Sequence, residues 1–317
     1  MSLSDFEIVQ TTTGATSIRN KIVNEIMHNP IGPWQEANAL YVEQSGLRLR
    51  LQNGRTNDLV IYDIGLGAAS NAVASIHCAL TLGQAGRRLH IISFENNLAL
   101  LEFTLLNAHE FSHLTGYSEA LEAILRDHHW TSPCGRIVWD LRAGDFLDLI
   151  DQETSYPEIV YFDPYSPSVN EDMWTLSCFT KLRLRCAAAE GQEATDLFTY
   201  SIATPIRAAM FLAGFYVGYG LPTGLKVETT HASTHLNTLN QPLSERWYER
   251  WQRSDKQLPF DAENYDSLAL QRRMAQHSQF NGMSPMWKPL NPKQNKGLRN
   301  LVNLVNLESN PQPVSLG

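Results

Sequence analysis

No stretch of the 317 residues stays apolar over the roughly 18 positions that a bilayer-spanning helix needs. The opening MSLSDFEIVQ has no basic segment followed by an apolar one, so no secretory signal is expected. Cysteine is scarce. Cys78, Cys134, Cys178 and Cys186 stand apart, without a pair at metal-ligand spacing, and are expected to be reduced thiols of a cytoplasmic protein with no metal site. A Walker loop, a G-x-S-x-G elbow and a C-x-x-C pair are all missing. Positive charge is also short. Lys and Arg number 25 against 33 Asp and Glu, a net charge of −8, which speaks against a surface basic all over but leaves room for a local patch. The chain shows no internal repeat and no low-complexity tract.

What is present is apolar sequence in short, regularly spaced runs. At 43% hydrophobic, the chain can bury one large domain or a core domain with appendages. Residues 1–57 read as a small β-rich unit, because ALYVEQSGLRLRL alternates and Asn53-Gly54 supplies turn chemistry. From Asp58 to about residue 235, strands alternate with helices. LVIYDIG is followed by ASNAVASIHCALTLGQAG, LHIISFE by LALLEFTLLNAHEF, and then come GRIVWDLRAGD, IVYFDP and TDLFTYS, with a closing edge pair in YVGYGLPTGLKVETTHAS. This alternation predicts an α/β fold built on an open, mostly parallel, doubly wound sheet. Residues 236–317 are polar, with Trp247, Tyr248, Trp251 and Trp287 in short pieces, and read as a wrapping extension.

In such a sheet, ligands bind at the carboxyl ends of the strands. Gly65 and Gly67 of YDIGLGAAS permit a tight turn and close backbone approach before a helix. Ser70 stands where the dinucleotide fingerprint wants glycine, which disfavours NAD or FAD. Glu95 ends the second strand, placed to accept from both hydroxyls of a ribose, and Asp145 follows the third, placed to accept from an adenine amino group. Asp163 ends the fourth strand, where Pro164 and Pro167 force the chain out of the sheet; Asn170 is expected to cap the helix that follows, with Glu171 and Asp172 in its first turn. A glycine turn with three acids on one sheet edge is the layout of a class I S-adenosylmethionine methyltransferase. Asp63 and Asn96, beside the turn and beside Glu95, complete the candidate cofactor-binding set of Asp63, Gly65, Gly67, Glu95, Asn96, Asp145 and Asp163.

Across roughly residues 35–232 the chain resembles the methyltransferase domain of the MnmC family, which completes the 5-methylaminomethyl side chain of a tRNA wobble uridine. The segments that carry the resemblance are EANALYVEQSGL, DIGLGAASNAV, LHIISFENNLALL, VWDLRAGDFLDLI, YFDPYSPSVNEDMWTLSCFTKL and FTYSIATPIRAAMFLAGFYV. It implies S-adenosyl-L-methionine as cofactor, tRNA as partner, and an active-site role for Asp163 beside the methyl donor and the target amine. Two segments depart from the pattern. Ala69 replaces a third glycine, and Asp163-Pro164-Tyr165-Ser166-Pro167 replaces Asp-Gly-Phe-Ala-Pro.

Asp163 can orient an ammonium and take its proton, and Tyr165 is expected to line the acceptor pocket, so these two are the catalytic candidates. Trp174 reads as helix core, and His128-His129 beside Trp130 as a surface loop. A basic strip from Lys288, Lys293, Lys296 and Arg299, with Arg246, Arg250, Arg253 and Lys256, either contacts phosphates or only solubilises the tail. Two alternatives stay open: a methyltransferase of a small-molecule or protein amine, and a non-catalytic cofactor-binding module.

Overall fold

The computed structural model describes residues 1–27, 30–83, 86–186, 193–223 and 227–280. The basic tail positions Lys288, Lys293, Lys296 and Arg299, and Trp287, lie outside them. The chain opens with a three-stranded antiparallel sheet, β1 (Phe6–Gln10), β2 (Thr16–Asn20) and β3 (Glu25–Ile26). Residues 33–51, read from sequence as β-rich, are helical instead. They form α1 (Pro33–Glu36), a π-helix (Ala37–Glu43) and α2 (Leu47–Leu51). In LRLRL the alternation misled. Leu47 and Leu51, four apart, are fully buried while Leu49 between them is 73% exposed, which is a helical face and not a strand face.

The central sheet has eight strands. β4 (Leu59–Ile64), β5 (Leu89–Glu95), β7 (Ile137–Ala143), β8 (Ile159–Phe162) and β9 (Asp196–Thr199) run parallel. β6 (His129–Thr131) adds an antiparallel edge, so His129 and Trp130 belong to a strand and not to a loop. At the other side β11 (Thr229–Ser233) inserts antiparallel between β9 and the edge strand β10 (Tyr216–Gly220). The order is β10-β11-β9-β8-β4-β5-β7-β6, and it reverses direction of winding at β4, which places the crevice there.

Helices cover both faces, and each face has its own buried cluster. α3 (Ser70–Leu80), α4 (Ala99–Leu106) and α5 (Ser118–Asp127) pack with the π-helix on one side. On the other lie α6 (Phe146–Leu149), α7 (Leu176–Arg185), α8 (Thr204–Leu212), α9 (Glu245–Arg253) and α10 (Ser267–Gln276). The wrapping extension therefore contributes to the core as far as Phe280: Trp247, Tyr248, Trp251, Leu270, Met274 and Phe280 are all buried there. The α7 cap also differs from expectation. Thr175 accepts from the Cys178 amide (3.1 Å), whereas Asn170 precedes a 3₁₀ turn (Glu171–Trp174) and makes no side-chain cap bond. The cap lies five residues further on because that turn intervenes, carrying Trp174 into the core at 0% exposure.

At the amino ends of the central strands a buried ion pair replaces apolar packing. Arg87 bonds both oxygens of Glu158 and donates to the carbonyls of Asn57 (2.8 Å) and Asp58 (2.9 Å). Arg87→Met leaves Glu158 buried without its partner and should cost about 3–5 kcal/mol in urea unfolding. Adding Glu158→Leu to that variant should recover much of the loss, and a double variant no more stable than the single would contradict this reading.

Candidate active site

A crevice of about 380 Å³ opens where β4, β5, β7 and β8 end. Its wall includes Gly65, Gly67, Glu95, Asn96, Asp145, Asp163 and Tyr165, so the expected residues converge. The fold explains why. Each lies at the end of a parallel strand or in the first residues after it, and the parallel register brings those ends to one edge.

The turn after β4 is shaped by backbone contact. Gly65 has φ +89°, and a Cβ there would lie 2.6 Å from the Asp163 carbonyl oxygen, so no side chain fits. Gly67 has φ +54° and donates its amide to Glu95 Oε2 (3.1 Å), while the Asn97 amide donates to Oε1 (3.0 Å). These donors fix the Glu95 carboxylate at the crevice wall, and burial raises its pKa. Ala69 is left-handed at φ +63°, the conformation for which the family pattern keeps glycine. Asp145 caps α6, accepting from the Leu147 amide (2.8 Å).

Asp63 is the exception. It was expected to touch the cofactor, but it does not line the crevice; it is fully buried beneath it. Asp63 and Ser93 are register partners on β4 and β5, so their side chains meet on the same face, and Ser93 donates to Asp63 Oδ2 (2.8 Å) while accepting from Trp139 Nε1 (2.9 Å). Oδ1 has no hydrogen-bond partner among the described residues. Burial, with smaller contributions from the Asp163 and Glu95 charges, pushes the Asp63 carboxyl up to about 7.

Asp163 is held from the other side. Asn71, in the first turn of α3, donates to Asp163 Oδ2 at 2.9 Å. The loop beyond it is pinned at three points. Tyr200 donates to the Pro164 carbonyl (3.0 Å), Trp174 Nε1 to the Tyr165 carbonyl (2.8 Å), and Asn20 Nδ2 to the Tyr165 hydroxyl (3.1 Å). Burial raises the Tyr165 pKa. Glu25, Glu36, Asn71 and Tyr200 also line the crevice and were not among the sequence candidates; Tyr200 directly follows β9, a strand end that the sequence reading did not use. In all, six acids face it (Glu25, Glu36, Glu95, Asp145, Asp163 and Asp172), and no lysine, arginine or histidine does among the described lining residues.

The residues fit S-adenosylmethionine. A carboxylate that accepts, set by backbone donors beside a turn with two glycines, suits ribose hydroxyls, and an acid-lined space suits a sulfonium. The chain has the fold of a class I S-adenosylmethionine-dependent methyltransferase.

Within that class it is MnmC-like. The family described as S-adenosyl-L-methionine-dependent methyltransferase matches residues 109–235, which include Asp145, Asp163 and Tyr165 but not the glycine turn. The tRNA 5-methylaminomethyl-2-thiouridine biosynthesis bifunctional protein MnmC of Burkholderia multivorans is 27% identical over 199 residues, 60% of this chain and 29% of that protein. The same-named protein of Aeromonas salmonicida is 27% identical over 201 residues, 57% of this chain and 28% of that protein. The chain thus spans under a third of these curated relatives. In fold it matches MnmC2 from Aquifex aeolicus, with a TM-score of 0.62 at 21% identity over 85% of this chain and 84% of the other.

Asp63 carries a pH signature. Its raised pKa means that the folded protein keeps a proton which the unfolded chain loses from about pH 4 upward. The stability this group contributes at low pH is therefore lost progressively as the pH rises to about 7. Asp63→Asn removes that titration. The stability difference between variant and wild type should shift in favour of the variant by up to about 4 kcal/mol between pH 4 and 7. Urea unfolding across that range checks it; a constant difference would place Asp63 outside the titrating set.

Proposed function

We propose that this chain transfers a methyl group from S-adenosylmethionine to the primary amine of an aminomethyl group on a modified wobble uridine of tRNA. The single observation that carries the amine part is the Asp163 carboxylate, fixed by Asn71 at 2.9 Å in a crevice whose described lining holds no cationic side chain. The names of the relatives support the tRNA part. A cytoplasmic location goes with this reading. The cofactor-holding unit is residues 58–235, with 1–57 and the 236–317 extension as its accessories.

Glu95 would hold the ribose, Asp145 the adenine, and the Gly65–Gly67 turn the rest of the cofactor, with Asn96 beside it. When bound, S-adenosylmethionine supplies an electrophilic methyl group on a positively charged sulfur. The chain's own task is then mostly placement, since in-line transfer gains most from holding the amine in an attacking geometry. An alkylamine enters mainly as its ammonium. Asp163 attracts that cation, accepts or relays one N–H proton, and leaves the nitrogen lone pair free to form the N–C bond as the C–S bond breaks. Tyr165, tethered by Asn20, walls the acceptor side.

A small free amine is the second reading. The acid-rich lining favours it, because a polyanionic acceptor gains nothing from carboxylates except at its reactive end. A labelled-methyl assay against bulk tRNA and a panel of amines separates the two, and incorporation into neither overturns both.

Asp163→Asn keeps the side-chain shape and removes the charge and the proton acceptor. Turnover should fall about 100-fold or more, while cofactor affinity measured by calorimetry stays within about twofold. Wild-type turnover in this variant across pH 6–9 would reduce Asp163 to a loop residue. Glu95→Ala should instead weaken cofactor binding by about 1–3 kcal/mol, through loss of charge-assisted hydrogen bonds.

A further inference from the structure

Glu36 is a carboxylate that the mechanism above does not use. It is only 8% exposed, yet it lines the same crevice as Asp163. Its position is built by the backbone. Gly32 turns at φ +94°, where a Cβ would lie 2.6 Å from Ala15 Cβ, and Pro33 then opens the short helix whose last residue is Glu36. The π-helix begins at the next residue, and its i→i+5 ladder brings positions five apart near one face. Glu36 and Tyr41 are five apart. The Tyr41 ring packs on Tyr161 (5.0 Å between centroids), which precedes Phe162, the last residue of β8, and then Asp163. Tyr200 lines the same space, its hydroxyl donating to Pro164.

We infer that Glu36 is a specificity-determining residue: with Asp163 it forms a two-carboxylate seat, with Tyr200 in its wall, that selects an acceptor arriving as an ammonium over its neutral isostere. This rests on the amine reading of the crevice and not on the uridine part of it. The electrostatics agree with the geometry. Burial first, then the Asp163 charge, raises both the Tyr41 and the Tyr200 hydroxyl, and the Glu36 charge acts on both in the same sense. Two carboxylates and the Tyr200 ring around one space give a cation charge partners and a π-face, and give a neutral group nothing comparable. The division of labour follows from position. Asp163 adjoins the cofactor turn through Gly65 and meets the reacting nitrogen, whereas Glu36 acts on where the cation settles.

The test is calorimetric binding in the presence of saturating S-adenosylhomocysteine, with two ammonium probes, 5-aminomethyluridine and benzylamine, and their hydroxyl isosteres, 5-hydroxymethyluridine and benzyl alcohol. Wild type should bind at least one ammonium probe about tenfold or more tightly than its isostere. Glu36→Gln should lose about tenfold in affinity for that ammonium and nothing for the alcohol, and Glu36→Asp should restore part of the loss. S-adenosylhomocysteine affinity measured on each variant reports whether the crevice is intact. Benzylamine dependence on Glu36 without nucleoside binding supports the seat and defeats the uridine reading. Binding of 5-aminomethyluridine that is equal in wild type and Glu36→Gln does the reverse. Equal losses for ammonium and alcohol, or no ammonium binding to wild type, overturn the inference.

Discussion

The architecture of the site depends on one close approach, between the turn after β4 and the end of β8. Gly65 donates its amide to Phe94 O (3.0 Å), the Asp163 amide donates to Ile64 O (2.9 Å), and the space for a Gly65 side chain is taken by the Asp163 carbonyl. Two loops are thereby locked together. One is the glycine turn proposed to hold the cofactor, the other the loop that carries Asp163. On the proposed reading, donor and acceptor sites are set by the same backbone contact, which is the kind of rigid support that methyl transfer needs, since its rate depends chiefly on placement. The departures from the family pattern sit beside this contact. Pro164 stiffens the loop that Gly65 presses against, and Ala69 bears a left-handed φ one residue before α3 begins.

The rest of the loop after β8 explains why an interior strand should end in an acid and then run into two prolines. Pro164 cannot donate, but its carbonyl accepts from Tyr200, and the chain turns out of the sheet with Ser166 O accepting from Val169 and Asn170. Trp174, buried against Phe162 at 5.2 Å, anchors the far end by donating to Tyr165 O. The loop is thus fixed by side chains from β2, β9's end and the 3₁₀ turn together. Asp163 owes its position to these tethers as much as to its own strand.

That dependence marks the boundary of what the sequence disclosed. The parallel strands were legible because each is a short apolar run ending in punctuation, and their carboxyl ends carry the residues that converge on the crevice. The helical character of residues 33–51 was not legible, since LRLRL satisfies both periods and only packing against α3 makes Leu47 and Leu51 the inner pair. The core role of Trp247, Tyr248 and Trp251 was hidden by the polar composition around them; their three-to-four spacing is the helical signal within it. Asn71 and Glu36 were out of reach for a different reason. Each acts on Asp163 or on its surroundings from a separate element, and that relation exists only in three dimensions.

The charge distribution poses a last question for the proposed substrate. A chain of net charge −8 whose crevice is lined by six acids would repel a polyanion presented broadside. It would not repel one that offers a single ammonium at the tip of an extruded base, because the field of the crevice is short-ranged at physiological salt, falling off over about 8 Å. On the proposed reading, recognition therefore divides between two surfaces. The crevice reads the amine, and phosphate contacts must come from cationic groups outside it, for which the arginines at 246, 250 and 253 on α9 and the lysine-rich residues beyond 280 are the sequence's own candidates. An acidic crevice is in that case a filter and not an obstacle: it admits the charged end of the correct side chain and turns away unmodified, neutral or anionic ones.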